Sequence, residues 1–118
     1  MISVFTDAEL AYLTAMRLGR LATVDTTGAP HVVPVGFHYN AELDAIDVTG
    51  WGLGHSKKYR DAQATGRVAF VVDDAPGPGA QRGVEIRGAA EAWAVGGLLI
   101  RPGADPEFIR IIPARVIS

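Results

Sequence analysis

At 118 residues, with a formal charge of −2 and 48% apolar residues, the chain is long enough for one hydrophobic core and too short for two. The slight acidity gives no attraction to phosphodiester backbones, so nucleic acid is not expected as a partner, and no apolar run approaches the ~20 residues of a membrane span. Cysteine is absent, which removes disulfides, thiolate catalysis and cysteine-based metal centres.

The apolar share is high for a monomer of this size and predicts a homodimer. The N-terminus lacks a basic stretch followed by an apolar run, so the chain reads as soluble, cytoplasmic and unprocessed.

In chain order, the first element is a helix. Thr6 stands as N-cap with Glu9 as its capping-box partner, and Phe5 is placed to staple onto Leu10. This helix is expected to end near Leu18, with Gly19 as its permissive C-terminal residue. Arg20–Asp25 and His31–Tyr39 read as a hairpin around the turn Thr26–Ala29, and Ala45–Thr49 as a third strand. The glycine-punctuated loop Gly50–Gly54 leads to Ser56, the N-cap of a short helix reaching about Thr65 and closed by Gly66.

Arg67–Asp73 is a strongly apolar strand, and the Pro/Gly-rich stretch 74–82 a loop. Gly83–Val95 alternates, with Glu85, Arg87 and Glu91 against Val84, Ile86, Ala90 and Ala92, as a strand with one wet face does. Residues 96–106 form a loop, and Phe108–Ser118 a last strand in which Pro113 marks a bend or an edge. Six strands without βαβ alternation exclude a doubly wound sheet and predict a closed or partly closed antiparallel barrel.

Two stretches could carry chemistry. The loop Gly50–Gly54 runs into a helix start bearing Ser56, Lys57 and Lys58, the only lysines in a chain with nine arginines. Unpaired N–H groups and partial positive charge there suit a phosphate, and equally an ordinary solvated helix start. The spacing is not that of a Walker loop. On the second strand, Pro34 removes a ladder donor and Gly36 a side chain, which opens a shallow face for a planar ring; the plain alternative is an edge strand. Trp51 beside the glycine loop is a lid candidate. His31, His38 and His55 lack ligand spacing and a carboxylate cluster, so no metal site is expected. No side chain stands out as catalytic acid, base or nucleophile, as is compatible with a redox cofactor that performs the chemistry itself.

Taken together, FTDAELAYL at Phe5–Leu13, GRLATVD at Gly19–Asp25, GAPHVVPVGF at Gly28–Phe37, RVAFVVDD at Arg67–Asp74, RGVEIRG at Arg82–Gly88 and IRIIPARVIS at Ile109–Ser118 resemble the pyridoxamine 5′-phosphate oxidase-like split barrels. The combination is similar in particular to the small actinobacterial members that use the deazaflavin F420, and the arginine-rich composition suits such a GC-rich source. The resemblance implies a mainly β, six-stranded antiparallel split barrel that dimerises with two cofactor sites at the subunit interface.

It implies a phosphate-holding pair at Lys57 and Lys58 with Ser56 beside them, and a ring platform over Val33, Pro34, Val35 and Gly36. It also implies a strand end at Thr49 and Gly50, and Arg82 as a contact from the other subunit. Residues 50–55 and 96–106 match only loosely, so the substrate-facing loops stay unassigned. The expected function is hydride transfer between F420 and an unsaturated organic substrate. The rivals are an FMN-binding oxidoreductase and a non-catalytic dimer that carries F420, haem or a tetrapyrrole.

Overall fold

Between Leu18 and Val24 alternate residues are buried, Gly19, Leu21 and Thr23 inward against Leu18 and Arg20 outward. The computed structural model describes residues 2–118. Its strands are β1 (Leu18–Val24), β2 (Pro30–Asn40), β3 (Ala45–Thr49), β4 (Arg67–Asp74), β5 (Arg82–Trp93) and β6 (Phe108–Ile117). All pairings are antiparallel, and the ring closes in the order β1-β2-β3-β6-β5-β4, the mainly β, six-stranded barrel expected from the sequence. The inward residues Leu21, Ile46, Val48, Phe70, Val72, Ile86, Ile109 and Ile111 fill it. No helix among the described residues is long and apolar enough to cross a membrane.

Helix α1 (Asp7–Ala15) has the expected capping box: the Thr6 hydroxyl accepts from the Glu9 amide, and the Glu9 carboxylate accepts from the Thr6 amide. It ends three residues earlier than the sequence suggests, with Met16 already extended. Gly19 is therefore a strand residue and not a helix terminator. A Cβ there would run into the Phe70 ring, which crosses the barrel interior at that point and meets Phe37 edge-on at 5.3 Å.

Helix α2 (Lys57–Ala64) spans the connection from β3 to β4 and packs on β1 and β5. Ser56 caps it, and Gly66, at φ 63°, ends it as the sequence predicts. Its buried face is pinned by three side-chain bonds. Thr23 donates to Asp61 at 2.7 Å, Thr65 donates to the Val24 carbonyl at 3.0 Å, and Tyr59 donates to the Trp93 carbonyl at 3.0 Å.

Two details depart from the simple strand pattern. The stretch 96–106 contains a short helix, α3 (Gly97–Ile100), which amide bonds fold tightly enough for only glycine to fit at 97. On β6, Pro113 pairs with Gly88 while Arg115 pairs with Arg87, so Ala114 is the extra residue of a bulge. The expected bend is that bulge, and Gly88 is required because a Cβ would strike the Ile112 carbonyl.

β3 is buried along its whole length, including Asp47 at 1% exposure. Asp47 accepts two bonds from Arg110, at 2.8 and 3.1 Å, and one from Asn40 at 3.2 Å. The guanidinium lies under the rings of Trp93 and Phe108. Removing one partner of such a pair leaves an uncompensated buried charge. Arg110→Ala is expected to lower unfolding stability by about 3 kcal/mol, read as a shift of the urea midpoint, whereas Arg115→Ala on the exposed part of β6 should shift it little.

Candidate functional site

The outer surface of β2 carries Pro34 and Gly36 next to the exposed Leu18 of β1. Because strand side chains alternate, Val33 and Val35 turn inward to the core while Pro34 and Gly36 leave a shallow outer face. Gly36 pairs with Thr49 at the end of β3, where the chain leaves the barrel through Gly50 and Trp51. A cleft of about 730 Å³ opens here, within the range that holds a cofactor-sized ligand. Its walls are Met16 and Arg17 from the link between α1 and β1, Trp51 from the glycine loop, Lys58 from α2 and Arg101 from the loop after α3.

The sequence-derived site residues divide on this geometry. Pro34, Val35, Gly36, Thr49, Gly50 and Lys58 come together around the cleft, and Val33 stays in the barrel packing outside it. Ser56 lies at the helix start with its hydroxyl already engaged, accepting from the Tyr59 amide and donating to the Leu53 carbonyl at 2.6 Å.

Lys57 and Lys58 lie on different sides of α2. Successive helical residues point about 100° apart, which separates the two side chains here. Lys57 turns towards the barrel, with its ammonium 3.2 Å from Asp61 and 3.6 Å from Asp25. Asp25 is held at about 2 by hydrogen bonds from the Thr27 hydroxyl and from the Ala29 and Thr27 amides, with a smaller contribution from Lys57. Lys58 alone reaches the cleft, and burial lowers its pKa below the ordinary lysine value of 10.5.

Arg82 lies elsewhere in the chain. It binds Asp74 through two bonds at 2.7 and 3.1 Å and stacks on Tyr12 at 5.1 Å, in a separate groove with Glu9 and Ser118. Burial and the bond to Asp74 push the Tyr12 hydroxyl up to about 12.

Arg101 was not legible as a site residue. Its guanidinium lies 4.5 Å from the centre of the Trp51 ring, and a Cβ on Gly36 would come within 3.1 Å of one of its nitrogens. The stacking is worth about 0.5–1 kcal/mol at an exposed site. Amide bonds from Asp105 to the Gly50 carbonyl at 3.0 Å and from Gly97 to the Pro106 carbonyl at 2.7 Å tie its loop to the end of β3. Arg17, Lys58 and Arg101 thus face the cleft, and no carboxylate lines it. Its floor carries no side chain of its own at Gly36 and Gly50, with Arg101 reaching over Gly36, and so fits a planar ring, while its cations fit an anionic tail.

A family model described as pyridoxamine 5′-phosphate oxidase matches residues 5–97. The chain belongs to the pyridoxamine 5′-phosphate oxidase-like family. Among relatives it is similar to the 5a,11a-dehydrotetracycline/5a,11a-dehydrooxytetracycline reductase of Streptomyces rimosus, 46% identical over 116 residues that cover 97% of this chain and 82% of the relative. A FAD-binding protein of Mesorhizobium loti shares the family barrel at TM-score 0.68 and 27% identity, over 95% of this chain and 90% of that one. The haem storage protein of Vibrio cholerae shares the fold at TM-score 0.74 and 16% identity, over 95% and 93% of the two chains.

The burial of Lys58 yields a pH prediction for any anion held in the cleft. A lysine whose pKa is lowered by burial gives up its proton at a lower pH than an exposed one, so affinity for an anionic ligand should decline as pH rises, starting below 10.5. Calorimetric titrations with the flavin cofactor across alkaline pH should show that decline, and Lys58→Arg should abolish it.

Proposed function

We propose that this oxidoreductase uses the deazaflavin F420 to reduce an unsaturated small organic substrate, and that it works as a homodimer. The observation that carries the reading is the cleft itself: a strand face stripped to Pro34 and Gly36, with three cations and no carboxylate around it. The Streptomyces rimosus relative supports it, being a reductase by name over nearly the whole of this chain. F420, when bound, supplies the hydride; the protein supplies position and electrostatics.

In this reading Pro34, Val35, Gly36, Thr49 and Gly50 bed the ring, and Val33 braces β2 from the core side. Lys58 contacts the phosphate. Lys57 and Ser56 act one step back, the first by tying α2 to Asp61 and Asp25 and the second by capping the helix. The outer face of β1, β2 and β4, where Ala22, Val32, Ala69 and Val71 form a shallow apolar groove, suits a second copy of the chain. Arg82 is assigned to the other subunit's site. FMN in the same cleft is the second reading, favoured by the FAD-binding relative at 27% identity.

Titrating the purified protein with F420, FMN and haem side by side, with absorbance and oxygen reactivity as readouts, tests the assignment. F420 is expected to bind most tightly and, once reduced, to be reoxidised by 5a,11a-dehydrotetracycline; a protein that prefers FMN or haem sinks the F420 reading. Lys58→Ala should weaken F420 binding by about 1.5–3 kcal/mol, the worth of one charge-assisted hydrogen bond. Lys57→Ala should cost less, and an unchanged affinity in Lys58→Ala rejects the phosphate contact. Sedimentation velocity should show dimers.

A further inference from the structure

Of the cations around the cleft, Arg101 occupies a distinct position. Lys58 enters from the helix that follows β3 and Arg17 from the link before β1, whereas Arg101 comes from the loop after α3 and lies beside Gly36, over the flat floor. Among the described residues its guanidinium has no carboxylate partner, a state it shares with Arg17, Arg60, Arg67 and Arg115, so its place over the floor and against Trp51 is what sets it apart. It rests on the face of Trp51, an indole that is 67% exposed. The backbone beneath it is fixed, since the Arg101 amide donates to the Gly97 carbonyl at 2.9 Å and the Asp105 amide to the Gly50 carbonyl at 3.0 Å. A tethered, unpaired fork of donors next to an open aromatic face and above a flat floor is a receptor for a ligand that is both planar and negatively charged.

We infer that Arg101 and Trp51 form the substrate subsite of the cleft, and that the substrate is a conjugated molecule carrying an anionic oxygen, a carboxylate or an enolate. This rests on the reductase reading, in which the floor at Pro34–Gly36 takes the cofactor ring. The indole stacks on the substrate's conjugated plane. The guanidinium turns from the indole face to the substrate oxygen, exchanging a weak exposed stacking contact for a charge-assisted, bidentate bond. Arg101 thereby sets specificity by charge, while Lys58 serves the cofactor.

The test uses 2-naphthoate and its uncharged counterpart 2-naphthamide as probes, with binding followed by calorimetry in the presence and absence of F420. The wild-type protein should bind the naphthoate roughly tenfold or more tightly than the amide. Arg101→Ala should erase that preference, Arg101→Lys should keep part of it, and Trp51→Ala should weaken both probes together. Arg101→Ala should lower naphthoate affinity by a larger factor than F420 affinity, and Lys58→Ala should do the reverse.

A wild-type protein that treats the two probes alike overturns the inference. So does an Arg101→Ala variant that loses F420 as severely as Lys58→Ala does, because that places Arg101 with the cofactor. A wild-type protein that binds no F420 refutes the reductase reading separately, whatever the probes show.

Discussion

A buried hydrogen bond of 2.7 Å, from the Thr23 hydroxyl on β1 to the Asp61 carboxylate on α2, holds the helix across the barrel and so determines what the cleft contains. Both residues are almost wholly buried, and a buried carboxylate is costly unless it is paired and hydrogen-bonded. Lys57 completes the arrangement from one turn earlier on the same helix. With Lys57 held against Asp61 and Asp25, the helical repeat turns Lys58 to the cleft. The ammonium that faces the cleft is therefore selected by an interaction made elsewhere on the helix.

Charge pairing elsewhere sharpens the same contrast. Asp47 is matched by Arg110, Asp74 by Arg82, Asp73 by Arg20 and Glu85 by Arg87. The chain as a whole carries −2, yet its principal cleft presents Arg17, Lys58 and Arg101 with no acid among the lining residues. A low overall charge thus coexists with a local field suited to anions, because the acids lie away from the cleft, four of them paired with arginines on the strands.

Two loops complete the site, and both depend on residues with little local signal. The glycine loop after β3 carries Trp51 outward, and the loop after α3 returns to it through the bond from Asp105 to Gly50. That single amide bond joins segments more than fifty residues apart and brings Arg101 over Trp51. The N-terminal segment is secured in the same economical way at the far end of β2. There Asp44, in the left-handed region at φ 55°, accepts bonds from Ser3, the Val4 amide and Tyr39, which outweigh its burial and hold its carboxyl below the ordinary aspartate value.

Much of this was legible in the sequence. Period-two alternation, turn residues and caps mark the six strands, the capping box at Thr6 and Glu9, and the second helix from Ser56 to Gly66, because each is a local preference expressed over a few residues. The motif combination pointed to the family, and Pro34 and Gly36 to the shallow face of β2. Other features needed the folded chain. Gly19 looks like a helix stop until the Phe70 ring is seen to occupy its Cβ position, and Pro113 looks like an edge until the bulge opposite Gly88 is seen. That Lys57 meets Asp61 while Lys58 lines the cleft is invisible in two adjacent lysines, and Arg101 has no sequence signature at all. The sequence by itself determined the barrel, its caps and its family, since these follow from short-range periodicity and turn chemistry. Only the tertiary structure decided which cations face the cleft, because that choice depends on ion pairs and ring contacts between residues far apart in the chain.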